Sequence, residues 1–558
     1  MPVFHGAVKG VFAMLKRILA VLSALCAICV GVGAAAEGVS LEDGGVAIRH
    51  MALAPLDDVR LDSRFGLSDA TDADRAALVA SQLVIQRAQA LGVDPEELET
   101  PEKNWKERYN SVCDACLEGA MCKPDEAVFD GRTVSGLNAF LREDGRGRKV
   151  LIESPTLVLD ETLSIPDETF VAGREVHLIP GESPVTRAVL LDGVHNGGLS
   201  GFVIRDAGCE YGIYAKNASG FAIVGNEISG CGQEGIVVIG SGSGFMVYDN
   251  VVCRNGCGGV IVRGDYSEGV LERNRVMDNA CADNMAAGIV LSGVAITDID
   301  SALGPFEHTS IASMLVAPHS IVVYDNLVCG NNSSGIYSYA GYLNDIVSNR
   351  IIRNEKEGMC LDFGTLGCYV AYNDIAANGG RYRMSDADLE VDCVAHFGRM
   401  EDGSSPAKLP GISLDNAAFN TLYDNRVSGN YGSGIKGVRA AYLNRILCNE
   451  IVDNNVGIND IHHFFGIELA SDLGTGEELD CIDYSPCHAN FICRNTISGA
   501  HYAGIFLGEE GSANVFRENT IFDGTDWSME FLSKQKNDVE DNRCDLPSRG
   551  VNFSLWPF

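Results

Sequence analysis

The stretch GIYAKNASGFAIVGNEISGCGQEGIVVIGSGSGFMVYDNVV, residues 212–252, contains the pattern that decides the fold. A triplet of Asn, any residue, and Ile or Val begins in it at Asn226 and again at Asn250. Later copies start at Asn274, Asn326, Asn349, Asn373, Asn425, Asn449, Asn495 and Asn519, and Asn542 continues the series with Cys544 in the apolar position. The successive gaps are 24, 24, 52, 23, 24, 52, 24, 46, 24 and 23 residues. A recurring period of this length indicates a solenoid of stacked repeats.

A second series of Gly followed by Ile, Val or Met supports the same architecture. Its members are Gly212, Gly235, Gly259, Gly335, Gly358, Gly434 and Gly504. Gly and Asn both tolerate the left-handed backbone of tight corners, so each repeat contains short strands joined by turns. One repeat cannot bury its apolar face alone, whereas a stack can, because each strand pairs with its equivalent one coil on. The sequence therefore predicts an all-β, single-stranded parallel β-helix solenoid with a small helical, Cys-containing N-terminal cap.

Repeats such as residues 212–252 resemble the right-handed parallel β-helix repeats of the pectate-lyase (pectin-lyase-like) superfamily. The resemblance covers about residues 170–545. It implies a right-handed coil and a carbohydrate-related role, because that superfamily contains polysaccharide lyases, glycoside hydrolases, uronan epimerases and non-enzymes. The chain contains neither the NTDG, GHG and RIK motifs of pectin hydrolases nor the DPHD motif of mannuronan epimerases.

The first 36 residues have the pattern of a secretory signal peptide. Lys16 and Arg17 precede an apolar run over residues 18–32, and three alanines follow at 34–36. We therefore expect export to the periplasm or the extracellular space. No later stretch is apolar for long enough to span a membrane, so no membrane insertion is expected.

The next segment, residues 37–145, is predicted to be a helical capping region, followed by the β-helix over 146–545 and a C-terminal tail over 546–558. Helices are predicted over Asp72–Leu91 and Pro95–Tyr109. Cys113, Cys116 and Cys122 cluster directly after them and, in an exported protein, are expected to pair as disulfides rather than bind zinc. Together these elements are expected to cover the open N-terminal edge of the solenoid.

The net charge of −34 at pH 7 limits the classes of molecule that the protein can be expected to bind. So acidic a surface repels phosphate backbones, which argues against nucleic-acid binding. It suits simple solubility, a saline habitat or divalent cations, and the charge alone does not choose among them. The sequence gives no indication of the oligomeric state.

Three long inserts mark one side of the solenoid. They fall near 280–320, 379–410 and 457–490, each beside the strand that begins with Gly-Ile. Loops on one side of a solenoid commonly build its binding face. Alternation along this strand directs Ala215, Val238, Val262, Leu291, Leu361 and Leu414 inward. It directs outward Tyr214, Lys216, Ile239, Arg263, Tyr337, Tyr339, Asp362, Asp415 and Lys436, with Arg439 just beyond.

Asp362 and Asp415 occupy the same outward position and are predicted to lie on neighbouring coils. Two interpretations of the pair stay open. In one, the two carboxyl groups act as the acid and the base or nucleophile of a glycoside hydrolase. In the other, they hold Ca²⁺, which neutralises a substrate carboxylate and acidifies the adjacent C–H, and Lys436 or Arg439 removes that proton.

Other residues are expected to help bind the substrate. Tyr337 and Tyr339 are suited to stack on sugar rings, and Arg263 lies on the same outward stripe. His462 and Glu468 are predicted to lie in the third insert, which overhangs the stripe.

The leading hypothesis from the sequence is a polysaccharide lyase acting by β-elimination on a uronate-containing glycan, with Ca²⁺ as the candidate cofactor. The alternatives are a glycoside hydrolase that uses the paired Asp residues, a uronan epimerase, and a non-catalytic glycan-binding or surface protein.

Overall fold

The computed structural model describes residues 101–281, 286–293, 316–362, 364–380, 382–383, 398–399, 409–438, 441–455, 464–470, 487–499, 501–509, 511–524 and 526–550. The signal-peptide, Asp72–Leu91 and tail predictions lie wholly or mostly outside these ranges. Within them, 38 strands join through parallel pairings into a solenoid of about 14 turns. The predicted right-handed parallel β-helix is confirmed.

Each coil passes through three parallel sheets, called A, B and C in the order of a coil that begins at the Gly-Ile strand. Sheet A contains the Gly-Ile strands: Leu163–Ser164, Val185–Asp192, Cys209–Lys216, Ile289–Ser292, Ile336–Tyr339, Met359–Asp362, Ile412–Asp415, Ile435–Val438, Phe465–Leu469, Ala503–Leu507 and Trp527–Phe531. Sheet B contains Glu126–Phe129, Lys149–Ile152, Ala222–Val224, Val322–Tyr324, Asp345–Val347, Tyr369–Ala371, Thr421–Tyr423, Arg445–Leu447, Phe491–Cys493, Val515–Arg517 and Asp538–Glu540.

Sheet C has strands that, from Glu227 onward, begin at the residue after a triplet Asn. Its strands are Thr156–Leu159, Glu227–Ser229, Val251–Cys253, Arg275–Met277, Leu327–Cys329, Arg350–Ile352, Asp374–Ala376, Arg426–Ser428, Glu450–Val452, Thr496–Ser498, Thr520–Phe522 and Arg543–Cys544. Four longer strands turn a corner and belong to two sheets. Phe170–Pro180 and Gly198–Arg205 join B to C, whereas Ile236–Tyr248 and Val260–Glu272 join A to B. A separate antiparallel pair, Tyr382–Arg383 with Gly398–Arg399, lies in the second insert.

Asparagine ladders run along the corners of the solenoid. In the first, between sheets B and C, the backbone N and the Nδ2 of Asn373 donate to Oδ1 of Asn425, one coil on, at 3.0 and 2.9 Å. The equivalent bonds link the triplet asparagines from Asn226 to Asn542. Buried amides are satisfied at nearly every rung, which favours this register over any slipped one.

Two further ladders were not anticipated from the sequence. Between sheets C and A run Asn255, Asn279, Asn331, Asn354, Asn378, Asn430 and Asn454. Between A and B run Asn420, Asn444, Asn490, Asn514 and Asn537. Each member lies five residues after or before a triplet Asn, a spacing that identifies these ladders once the corners are known.

The core consists of inward side chains that stack on their equivalents one coil on. Val252, Val276 and Val328 are an example from sheet C, and all three are fully buried. The inward positions predicted for sheet A are also all fully buried. Each such side chain contributes about 1.5–3 kcal/mol of hydrophobic stabilisation.

The first helix, α1 (Pro101–Cys116), continues into a π-helical turn, Leu117–Met121. Trp105, Val112 and Cys116 form its apolar side, which packs on residues of sheet B such as Met246 and Val322. The helix therefore lies along the side of the solenoid, and the predicted helical cap of its N-terminal end is formed by a later helix. Burying the apolar stripe against sheet B explains this placement.

The N-terminal end of the core is instead closed by α2 (Val134–Glu143). Its N-cap Thr133 accepts a hydrogen bond from the backbone N of Gly136 at 3.1 Å. Leu137 and Leu141 are fully buried in the main core. The coil stack already begins at Glu126–Phe129, which pairs with Lys149–Ile152, N-terminal to the predicted start at residue 146. In the part of the chain described, no helix is long and apolar enough to cross a membrane.

Candidate functional site

The outward side chains of sheet A form two adjacent columns, which together we call the stripe. One column contains Tyr337, Cys360, Ser413, Lys436 and Glu468, which pair in this order from coil to coil. The other contains Tyr339, Asp362, Asp415 and Val438. The predicted members Tyr337, Tyr339, Asp362, Asp415 and Lys436 thus share one face of the molecule.

Asp362 and Asp415 are direct neighbours on two adjacent coils, although 52 residues lie between them in the chain. Their strands pair in register, Leu361 with Leu414 and Asp362 with Asp415. Neighbouring strands lie about 4.8 Å apart, so the two carboxyl groups stand side by side. Asp415 is only 9% exposed, whereas Asp362 is partly open to solvent. Two carboxyl groups at this spacing repel each other when both are charged, which favours sharing a proton or a cation.

Tyr337 holds Asp362 in place. Its hydroxyl donates to Oδ2 of Asp362 at 2.6 Å. Burial, followed by the charge of Asp362 and this hydrogen bond, raises the pKa of Tyr337 far above its ordinary value. The phenol therefore stays protonated and remains a donor to the carboxylate. The ring of Tyr339 stacks on that of Tyr337, with the centroids 6.3 Å apart.

Lys436 and Glu468 form the C-terminal end of the stripe. Nζ of Lys436 lies 2.9 Å from Oε1 of Glu468, and Oε2 of Glu468 accepts a hydrogen bond from Ser433 Oγ at 2.5 Å. Glu468 belongs to the strand Phe465–Leu469 and pairs with Lys436 in register. Its predicted place in an insert overhanging the stripe is therefore wrong. The 46-residue gap is a single coil, and its sheet A strand Phe465–Leu469 carries Glu468 at an ordinary sheet position.

The remaining predicted residues are more distant or not described. Arg263 lies in the same outward column as Asp362 but three coils earlier, about 14 Å along the axis. Arg439 and His462 lie outside the described residues. Cys360 and Ser413 belong to the stripe and were missed, although each stands two residues before an Asp of the pair and so shares its outward direction.

The cysteine cluster carries no disulfide in this structure, and its pairing stays a prediction. Cys113, Cys116 and Cys122 are free thiols. Cys116, the last residue of α1, is buried against sheet B, with its Sγ 3.4 Å from the carbonyl oxygen of Gly244 and 3.8 Å from that of Phe221. Its position in the packing against sheet B directs the thiol away from its sequence neighbours.

The described residues contain no group of three or more His, Cys, Asp or Glu side chains arranged to hold a metal ion. Asp362 and Asp415 by themselves supply two carboxylates, so the Ca²⁺ expected from the sequence would have to take its other oxygen ligands from water, substrate or main-chain carbonyls.

Comparison with known proteins gives one family match. A family profile described as periplasmic copper-binding protein NosD matches residues 189–390. The donor groups found in the described residues do not fit a copper site of three or more His, Cys, Asp or Glu ligands, and no step of the chemistry below uses copper. No curated protein matches the chain.

Several solved structures share the architecture. The A-module of the Azotobacter vinelandii mannuronan C-5 epimerase AlgE6 is 15% identical, with a TM-score of 0.41 over 79% of this chain and 99% of that one. The Streptococcus pneumoniae surface adhesin PfbA is 10% identical, with a TM-score of 0.40 over 76% and 90% of the two chains. The periplasmic alginate epimerase AlgG is 12% identical, with a TM-score of 0.37 over 78% and 88%. At this similarity the likeness concerns the fold alone, and the strand pairings of the chain itself establish the parallel β-helix.

Proposed function

We propose that this protein cleaves a polysaccharide on the stripe, with Asp362 and Asp415 as the reacting carboxyl groups. The observation that carries the proposal is their register on adjacent coils, together with the Tyr337 hydroxyl bound to Asp362. Retaining glycoside hydrolases use two carboxyl groups about 5–5.5 Å apart, which agrees with the spacing of neighbouring strands.

The surroundings suit the two carboxyl groups to different roles. Asp362 accepts a hydrogen bond from a phenol that stays protonated, and this stabilises its charged form as a nucleophile. Asp415 is nearly buried beside that charge, and both conditions favour its protonated form as the general acid. In this proposal Asp415 protonates the leaving oxygen, Asp362 forms the glycosyl ester, and Asp415 then activates the water that releases it.

β-Elimination is the second candidate, and the ion pair of Lys436 changes how it would proceed. A carboxylate at 2.9 Å stabilises the ammonium form of Lys436, which makes this residue a poor proton acceptor. An ammonium group is instead suited to bind a uronate carboxylate that displaces Glu468. Lys436 would then neutralise the charge of the substrate carboxylate, which is the role expected of Ca²⁺, and the Asp pair would supply the base.

A panel of neutral and uronate-containing polysaccharides tests these candidates. We expect reducing ends to appear without new ultraviolet absorbance if cleavage is hydrolytic. Reducing ends together with the absorbance of a new C=C bond would establish β-elimination. A chelator in a parallel set reports on Ca²⁺, and loss of cleavage on chelation would assign the Asp pair to the metal.

Two outcomes would contradict cleavage altogether. Altered uronate stereochemistry without chain scission, read by nuclear magnetic resonance, would indicate epimerisation. Retention of a glycan with no chemical change in any arm would indicate a binding protein.

A further inference from the structure

Cys209 and Cys231 bring their sulfur atoms into contact inside the solenoid. The two Sγ atoms lie 3.7 Å apart, and both side chains are buried. Cys209 begins the sheet A strand Cys209–Lys216, whereas Cys231 follows the sheet C strand Glu227–Ser229 on the next coil. The backbone N of Gly232 donates to the carbonyl of Cys209 at 3.0 Å, which fixes the two coils against each other at this point.

The position of Cys231 is the N-terminal end of the second asparagine ladder. Its backbone N donates to Oδ1 of Asn255, as the ladder asparagines do with their own next rung. The side chain of a cysteine has no amide group that could donate to Asn255 or accept from the preceding coil. The ladder of side-chain amides therefore ends at Asn255. The side chain of Cys231 meets the sulfur of Cys209 instead.

We propose that Cys209 and Cys231 form a disulfide that joins these two coils covalently. A disulfide needs the sulfurs at about 2.05 Å and the Cα atoms at about 4.4–6.8 Å. The hydrogen bond from Gly232 N to the carbonyl of Cys209 places the residue next to Cys231 directly beside Cys209, so the two cysteine backbones are close neighbours on adjacent coils. A change in the side-chain torsions then closes the gap between the sulfurs.

The oxidation uses a small-molecule or protein disulfide as the oxidant. One cysteine thiolate attacks the oxidant and forms a mixed disulfide, releasing one thiol. The second cysteine attacks that mixed disulfide and releases the other thiol, so the pair loses two protons and two electrons and the oxidant gains them. Oxidising compartments favour this product, which accords with the predicted export.

Mass spectrometry of the full-length protein tests the proposal. In one arm the protein is exported into the periplasm of a bacterial host, and in the other the purified reduced protein is exposed to glutathione disulfide. Free thiols are alkylated in denaturant before digestion. We expect a peptide pair that joins Cys209 to Cys231 and separates on reduction.

Two variants serve as controls. Cys209→Ala with Cys231→Ala should lose the linked pair, and reduction should no longer lower its melting temperature, whereas reduction lowers that of the wild type by a few degrees. Cys253→Ala, at a buried sheet C position, should keep the linked pair. Recovery of both cysteines in alkylated form in both arms, or a bond from either one to a different cysteine, would overturn the proposal.

Discussion

The first asparagine ladder and the stripe are both columns of side chains stacked along the same coils. The residue type is constant in the ladder and variable in the stripe. The ladder carries the same residue from Asn226 to Asn542, and each Asn is hydrogen bonded to the next one. The stripe changes at almost every coil, from Tyr337 through Cys360 and Ser413 to Lys436. Stacking therefore requires uniformity at the corner and leaves the exposed column free to vary.

This difference separates stability from chemistry. Replacing a rung leaves buried polar groups on both neighbouring coils without hydrogen-bond partners, because each rung both donates and accepts hydrogen bonds. Replacing a stripe residue leaves the backbone pairing beneath it unchanged. We therefore expect variants of the ladder to lose stability and variants of the stripe to lose activity.

The largest expected effect is on turnover, from Asp362→Asn or Asp415→Asn. Each removes a group proposed to transfer a proton or to attack the sugar, so the rate of polysaccharide cleavage should fall about 10²–10⁴-fold. The melting temperature should change little. Asp192→Asn is the matched control, because Asp192 pairs with Lys216 at the same outward position, far from the pair. Turnover that survives both pair variants would exclude the stripe as the active site.

The second effect is on stability, from Asn425→Ala. Asn425 accepts two hydrogen bonds from Asn373 and donates through Nδ2 to Val370 O and Asn449 Oδ1, each at 2.9 Å. Its loss leaves several buried groups without partners, and the free energy of unfolding should fall by about 3–4 kcal/mol. Chemical denaturation measures this.

Asn542→Ala is the control for position in the ladder. Asn542 is the last rung and is partly exposed, so water can replace its bonds. We expect a cost of about 1 kcal/mol. Equal losses at Asn425 and Asn542 would show that burial is not the source of the ladder's contribution.

The ladders also show what the sequence could and could not predict. The period of the Asn triplet predicts the coil, the register and the proximity of Asp362 to Asp415, because all three follow from the position of each residue within its repeat. Glu468 was misplaced because the length of the 46-residue gap does not reveal where the sheet A strand lies within it. The helix α2 was missed because its ten residues carry no repeat signal, and its role depends on an open core end that appears only in three dimensions.

A third prediction concerns His501, the one imidazole that continues the second ladder in the described residues. Its Nε2 accepts a hydrogen bond from the backbone N of Asn454 at 3.2 Å, which requires the neutral ring. Burial lowers the pKa of His501 to about 4, and the charge of Asp453 offsets this only in part. Between pH 6.5 and 4 the unfolded chain binds the proton that the folded chain excludes, so stability falls as the pH falls through this window.

The expected loss between pH 7 and pH 4 is about 3 kcal/mol from this residue. His501→Asn restores an amide rung and should flatten the pH dependence by that amount, which denaturation at several pH values would detect. An unchanged pH dependence would mean that the folded state takes up the proton at His501 without loss of the ladder.

The smallest effect is expected from Glu468→Gln, a stripe variant that keeps the shape of the side chain. The amide can still accept from Ser433 but no longer pairs its charge with Lys436, whose side chain is 31% exposed. Water compensates an ammonium at that exposure, so the free energy of unfolding should fall by about 1 kcal/mol or less, well below the loss for Asn425→Ala. The effect should shrink further at high salt. If Lys436 binds substrate carboxylates, the same variant should bind uronate polysaccharides more tightly, because the Glu468 carboxylate no longer competes for Lys436.

A loss of stability equal to that of a ladder rung would show that this end of the stripe contributes to the stacking of the coils and is not reserved for substrate binding.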